Sequence, residues 1–173
     1  MGQGMVIFEN GKYKKMKKSL LFILFLALLM PAAIAKHKKA QPQKDLLSVT
    51  MHRSACFGHC PDYQVKVDRD GLVTYTGYMF AKDSGIYEKN VGAAAAKNIL
   101  AACTRYRIDT CKDVYNNIVP DLPGLHFIVQ YKTVTKKITN AGFGPGFLRE
   151  IAGSIDAIAQ VDSTWKHIPV FKR

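Results

Sequence analysis

The chain is short of acid. Its 173 residues carry 13 Asp and Glu against 25 Lys and Arg, a formal net charge of +12. The few acids are dispersed, so Asp109, Asp113 and Asp121 define no paired-carboxylate geometry for general acid–base work. Gly-x-Ser-x-Gly, His-Glu-x-x-His and P-loop signatures are missing. Ser54 or Ser84 with His126 could assemble a nucleophile and base, but no motif supports the pairing. Gly142-x-Gly144-x-Gly146 lacks the βαβ setting and later acid of a dinucleotide fingerprint, and reads as a hinge. Asp68-x-Asp70-Gly71 lacks the other ligands of a calcium loop and reads as a hairpin turn. There is one tryptophan, expected to pack the tail onto the domain. No apolar run reaches the roughly 20 residues of a spanning helix.

The basic residues are concentrated near the start. Lys12, Lys14, Lys15, Lys17 and Lys18 precede the apolar run Ser19 to Met30. Pro31 breaks that run, and Ala33-Ile34-Ala35 follows. A basic n-region, an apolar h-region and an Ala-x-Ala end form the layout of a secretory signal peptide. Cleavage is expected near Ala35, with a periplasmic or extracellular destination. Met16-Lys17-Lys18 is a more natural start than Met1, so residues 1–15 read as an upstream extension. No cysteine stands at the end of the h-region, where one would take a lipid. Lys36 to Arg173 would then be a mature chain of 138 residues with 20 Lys and Arg and 12 Asp and Glu. Residues 36–45 read as a flexible basic tail, and 46–168 as one α+β domain with no internal boundary.

Within that domain Leu46 to His52 is a short β candidate. Tyr63, Val65 and Val67 alternate with Gln64, Lys66 and Asp68, the period of a half-buried strand. Asp68-Arg69-Asp70-Gly71 turns the chain, and Leu72 to Tyr78 returns as β-branched and aromatic residues. Ile86 to Lys89 adds a further strand. Asn90 is expected to cap a helix running to about Arg105, with Ile99, Leu100 and Cys103 inward. Asn116 to Gly124, holding Pro120 and Pro123, reads as a loop. Leu125 to Tyr131 and Val134 to Thr139 form a second hairpin about Lys132-Thr133. Phe147, Leu148, Ile151, Ile155, Ile158 and Ala159 repeat at helical spacing after Pro145. The simplest packing is an antiparallel sheet built from two hairpins, with both helices on one face. Arg105-Tyr106-Arg107 interleaves base and ring as nucleic-acid binders do. It closes a helix, where arginine suits the dipole, and export argues against nucleic acid as a partner.

All four cysteines, Cys56, Cys60, Cys103 and Cys111, follow the export signal, and an even count in an exported chain points to disulfides. Three connectivities are open. Local pairing, Cys56–Cys60 with Cys103–Cys111, closes loops worth roughly 2 to 2.6 kcal/mol each, against roughly 4 kcal/mol for a cross-pairing such as Cys56–Cys103. Chain separation favours the local pairs, because a short turn joins Cys103 to Cys111. The stretch Cys56-x-x-x-Cys60-Pro61 also allows a second chemistry. Two thiolates with His52 or His59 would suit a soft ion such as copper, or zinc, or a redox role. In copper-delivering thiol proteins of thioredoxin-like fold, however, the cysteine loop opens a helix. Here Pro61 leads into a hairpin.

Ser54-x-Cys56-x-Gly58-x-Cys60-Pro61-x-Tyr63 followed by Asp70-Gly71-x-Val73-x-Tyr75-x-Gly77 resembles domain of unknown function family 6438. Asp121-x-Pro123 and the final helix with Ile155-Asp156 fit the same outline, from about Leu46 to Trp165. The resemblance implies the fold outline, an exported setting and a cysteine loop that forms one unit with the hairpin. It supplies no mechanism. The functional expectation is a non-catalytic, disulfide-stapled binding module of the cell envelope, without a cofactor. Its partner would be an envelope protein, a glycan or an anionic surface. The alternative is the thiol-redox or copper-binding protein.

Overall fold

Alternation along the strands decides how this chain layers. In a computed structural model, described here for residues 45–116 and 121–169, Val49 and Met51, Val65 and Val67, Val73 and Tyr75, and Phe127 and Val129 all point to one side. All are buried. Their neighbours Thr50, His52, Gln64, Lys66, Thr74 and His126 point to the other side, which is polar. An antiparallel sheet with one face on the core and one face wet has this pattern. The expected signal peptide, the Lys36 to Lys44 part of the tail and residues 117–120 of the Pro-rich loop lie outside the described residues.

Among the described residues seven strands form one sheet: β1 (Leu46–Arg53), β2 (Tyr63–Asp68), β3 (Leu72–Gly77), β4 (Gly85–Asn90), β5 (Leu125–Tyr131), β6 (Thr135–Ile138) and β7 (Lys166–Ile168). Their order is β6-β5-β1-β2-β3-β4-β7, and every pairing is antiparallel. The fold is therefore α+β. The two-hairpin outline is coarser than the sheet itself. β1 sits between β2 and β5 and joins the halves, and β7 adds an edge on β4 that three residues were too few to announce.

Helix α1 (Ala93–Arg105) buries Ala96, Ile99, Leu100 and Cys103, and α2 (Gly146–Ile158) buries Leu148, Ile151, Ala152 and Ile155. These side chains join the strands' inward residues and Trp165 in one core. Asn90 is not the cap of α1. It ends β4, and Gly92 holds the cap position. Asn90 Oδ1 instead accepts from Gly92 N at 2.8 Å, shaping the entry to the helix. Pro145 stands at the start of α2, where its missing N–H costs nothing. Tyr106, in the basic-aromatic triplet, stacks on Phe147 with ring centroids 4.9 Å apart, so that ring serves packing.

Candidate functional site

The residues of the cysteine motif gather at one end of the sheet. Cys56 and Cys60 are joined as a disulfide, closing a loop that carries Gly58 at φ +153. At its base Arg53, the last residue of β1, pairs directly across the ladder with Tyr63, the first of β2. Both reach Asp156 on α2. Arg53 Nη2 and Nε donate to Asp156 Oδ2 at 2.6 and 3.2 Å, and Tyr63 Oη donates to Oδ1 at 2.7 Å. One carboxylate thus ties the root of the loop to a helix 93 residues downstream of Tyr63. Beside this knot lies a recess of about 170 Å³ bordered by Tyr63, Tyr75, Lys82, Asp83 and Asp156.

Two further segments pack on the loop. Ser54 N donates to Gly124 O, Gly124 N donates to Ser54 Oγ, and Phe57 N donates to Asp121 O at 3.4 Å. These bonds give Asp121-x-Pro123 its place: it is a backbone bracket for the cysteine loop. On the other flank Asp62 and the β3–β4 connection exchange bonds, Tyr78 N to Asp62 O and Asp62 N to Met79 O, each 2.9 Å. His59 packs edge-on against Phe80, 4.7 Å between ring centroids.

The result is an exposed apolar cluster on braced loops. Phe57 is 90% exposed at the tip of the cystine loop, and Tyr78, Met79, Phe80 and Leu122 are exposed around it. Phe80 and Asp121 hold left-handed backbone at φ +58 and +63. Such conformations cost of order 1–3 kcal/mol in a non-glycine residue, and persist where the surroundings fix them. Asp62 and Asp121 join the cluster's loops through backbone bonds to Met79 and Phe57, and Lys82 and Asp83 follow Phe80 in the chain.

On the polar face, His52 Nε2 donates to Asp62 Oδ1 at 2.8 Å. His126 stands directly across from His52 on β5, with ring centroids 5.8 Å apart. Burial and then the neighbouring His52 hold His126 below its ordinary pKa. The residues of the alternative copper reading, Cys56 and Cys60 with His52 or His59, each have another partner. Cys56 and Cys60 bond each other, His59 turns to Phe80, and His52 turns to Asp62. Among the described residues no group of three or more His, Cys, Asp or Glu could hold a metal ion. The expected second bridge is not made either, because Cys103 and Cys111 are free thiols. Cys103 lies in the core, where burial pushes its pKa up to about 12. Cys111 is half-buried beside Tyr115 and Lys136, its pKa raised chiefly by burial. Short chain separation alone was a poor guide, since α1 turns Cys103 inward. Of the motif's hairpin residues, Asp70 is exposed at the turn, and Gly71 is buried against the start of α1. Sequence reasoning missed Arg53 as a member of this end and named His126 as a candidate base for Ser54 or Ser84. Register could have found Arg53, because it shares a face with Val49 and Met51 and so points at the helices.

The knot predicts an alkaline signature. Burial first, then the hydrogen bond and charge of Asp156, push Tyr63 up to about 12. Burial likewise takes Tyr131 to about 12. An unfolded tyrosine releases its proton near 10. Between pH of about 10 and about 12 the unfolded chain therefore holds fewer protons, and stability falls as pH rises. Tyrosinate absorbance at equilibrium should show these rings titrating last, together with loss of far-UV ellipticity. Titration of Tyr63 and Tyr131 with the other tyrosines near 10, with the fold intact, would contradict their burial.

An antiparallel sheet covered on one face by two helices, with a cystine loop braced at one end, defines a small α+β domain whose distinctive surface is that loop. Residues 47–159 match the family model described as Domain of unknown function (DUF6438), and the chain belongs to that family. Comparison with curated proteins gives no match.

Proposed function

We propose that this is an exported, non-catalytic interaction domain that binds a protein through the cystine-loop end of its sheet. The observation that carries the reading is the exposure of Phe57 at the tip of a loop held by a disulfide, a backbone bracket and the Arg53–Asp156–Tyr63 knot. Exposed apolar clusters on rigid supports mark contact surfaces, and aromatic side chains dominate binding energy at such surfaces. The disulfide suits an oxidising compartment, in keeping with the signal-peptide pattern of residues 12–35. The acids around the cluster favour a partner with an apolar centre and a cationic rim. They fit an anionic surface less well, and the basic tail would have to serve that role.

Site-specific photocrosslinking in the producing cell tests this. A crosslinking residue at position 57 should trap one discrete protein, while the same residue at Lys97, exposed on α1, should not. With that partner purified, Phe57→Ser should abolish measurable binding while shifting stability by no more than about 0.5 kcal/mol, as exposed substitutions do. Equal labelling from both positions would defeat the proposal. Intact mass after alkylation in denaturant, without reductant, tests compartment and thiols together. The expected result is a chain starting at Lys36 with two alkyl groups, on Cys103 and Cys111. Labels on Cys56 and Cys60 instead would turn the reading toward the thiol-redox or copper alternative.

Removing the staple should be felt in the fold. Cys56→Ser releases a loop of about five residues, and the chain-entropy model assigns that closure about 2 kcal/mol. Urea denaturation should show the loss with an unchanged slope.

A further inference from the structure

The polar face of the sheet carries a pair of histidines that the reading above leaves without a task. His52 and His126 are opposed across the β1–β5 ladder, the relation in which side chains on one face stand closest. Their ring centroids are 5.8 Å apart and their planes are tilted by 34°. That separation lies within the span one ion bridges when each imidazole gives a nitrogen at about 2.0–2.1 Å. Asp62 Oδ1 accepts a hydrogen bond from His52 Nε2 at 2.8 Å, which in the neutral ring leaves Nδ1 with its lone pair. A carboxylate behind an imidazole is the arrangement that fixes tautomer and orientation in metal-binding histidines.

The far side of the pair is also shaped. Gly124 has no backbone conformation that demands glycine, yet a Cβ there would fall 2.3 Å from His126 Nε2 and 2.5 Å from Ser54 Oγ. Glycine at 124 therefore leaves room for the His126 ring and sets it near a hydroxyl.

We propose that His52 and His126 form a two-nitrogen site for a divalent transition-metal ion, with Asp62 as the positioning residue and water filling the remaining coordination. This site is separate from the thiols, which the disulfide consumes. Two imidazoles with open positions favour copper(II) over zinc(II) by the general order of divalent affinities.

Isothermal titration of the metal-stripped, tag-free chain with copper(II) and with zinc(II) tests the site. One ion per chain is expected, with copper bound more tightly. The copper complex should show electron-paramagnetic hyperfine coupling from two nitrogens, a readout that needs no variant. Asp62→Asn should weaken binding by roughly 10- to 100-fold, and His52→Gln and His126→Gln should each weaken it further. His59→Gln and His37→Gln should leave it unchanged. Absence of binding, coupling from a single nitrogen, or binding that survives both His52→Gln and His126→Gln and disappears with His37→Gln would each overturn the proposal.

Discussion

Gly71→Ala is expected to cost about 3 kcal/mol or more. Two independent effects meet at this residue. Its φ of +95 lies where L residues are strained, at a cost of about 1–3 kcal/mol. A Cβ would also stand 2.5 Å from Gly92 C and 2.8 Å from Ala93 N, and backbone at the start of α1 cannot step aside as a side-chain tip would. Gly71 further donates to Asp68 O and accepts from Val91 N, at 3.0 and 2.9 Å. A shift there loosens the β2–β3 turn and the entry to α1 together. Gly153→Ala is the control. Gly153 is exposed within α2 and nothing lies within 4 Å of its Cβ position. Alanine there should add about 0.5–1 kcal/mol. Urea midpoints for the two variants should move in opposite directions. A Gly71→Ala loss below about 1 kcal/mol would mean that α1 does not rest on this turn.

The same glycine shows how much of the fold the residues declare. Alternation of Tyr63, Val65 and Val67 and a turn ending in Gly71 are local signals, and the β2–β3 hairpin runs where they place it. The helical stripe from Leu148 to Ile155 is local as well. Three features were illegible because their causes are remote. β7 is a strand only because β4 offers Ile86 to Glu88 as partners. Asn90 was read as a cap because it precedes an alanine run, but tertiary pairing keeps it in β4. Cys103 and Cys111 looked like a local pair on spacing, and core packing on α1 decides against them. The candidate site divides in the same way. The cysteine loop was visible as a motif, whereas His126 and Asp156 enter only once β5 and α2 have docked. The exposed cluster at Phe57, Met79 and Phe80 was likewise invisible, because exposure belongs to the folded surface and not to residue type.

Asp156→Ala should cost about 2–3 kcal/mol and should unsettle a loop the residue does not touch. Asp156 accepts from both Arg53 and Tyr63. Hydrogen bonds to a charged group are worth about 1.5–3 kcal/mol, and removing one partner leaves a half-buried guanidinium uncompensated. The pair is about a third exposed, with side-chain accessibilities of 36% and 26%, so the loss should stay below the roughly 3–5 kcal/mol of a fully buried ion pair. Asp156→Asn keeps one acceptor and should lose less. Tyr63→Phe should be largely redundant with Asp156→Ala, giving a coupling of about 0.5–3 kcal/mol in a double-mutant cycle. Tyr63 should also ionise at lower pH in Asp156→Ala, because the acid's hydrogen bond and charge add to burial in holding the phenol neutral. The consequence for function follows from position. Arg53 and Tyr63 stand three residues outside Cys56 and Cys60 on either side, so the knot aims the cystine loop. Amide exchange over residues 54–62 should quicken in Asp156→Ala, and partner binding at Phe57 should weaken although Phe57 is untouched. Unchanged exchange there would mean that the disulfide and the Asp121–Gly124 bracket hold the loop without α2.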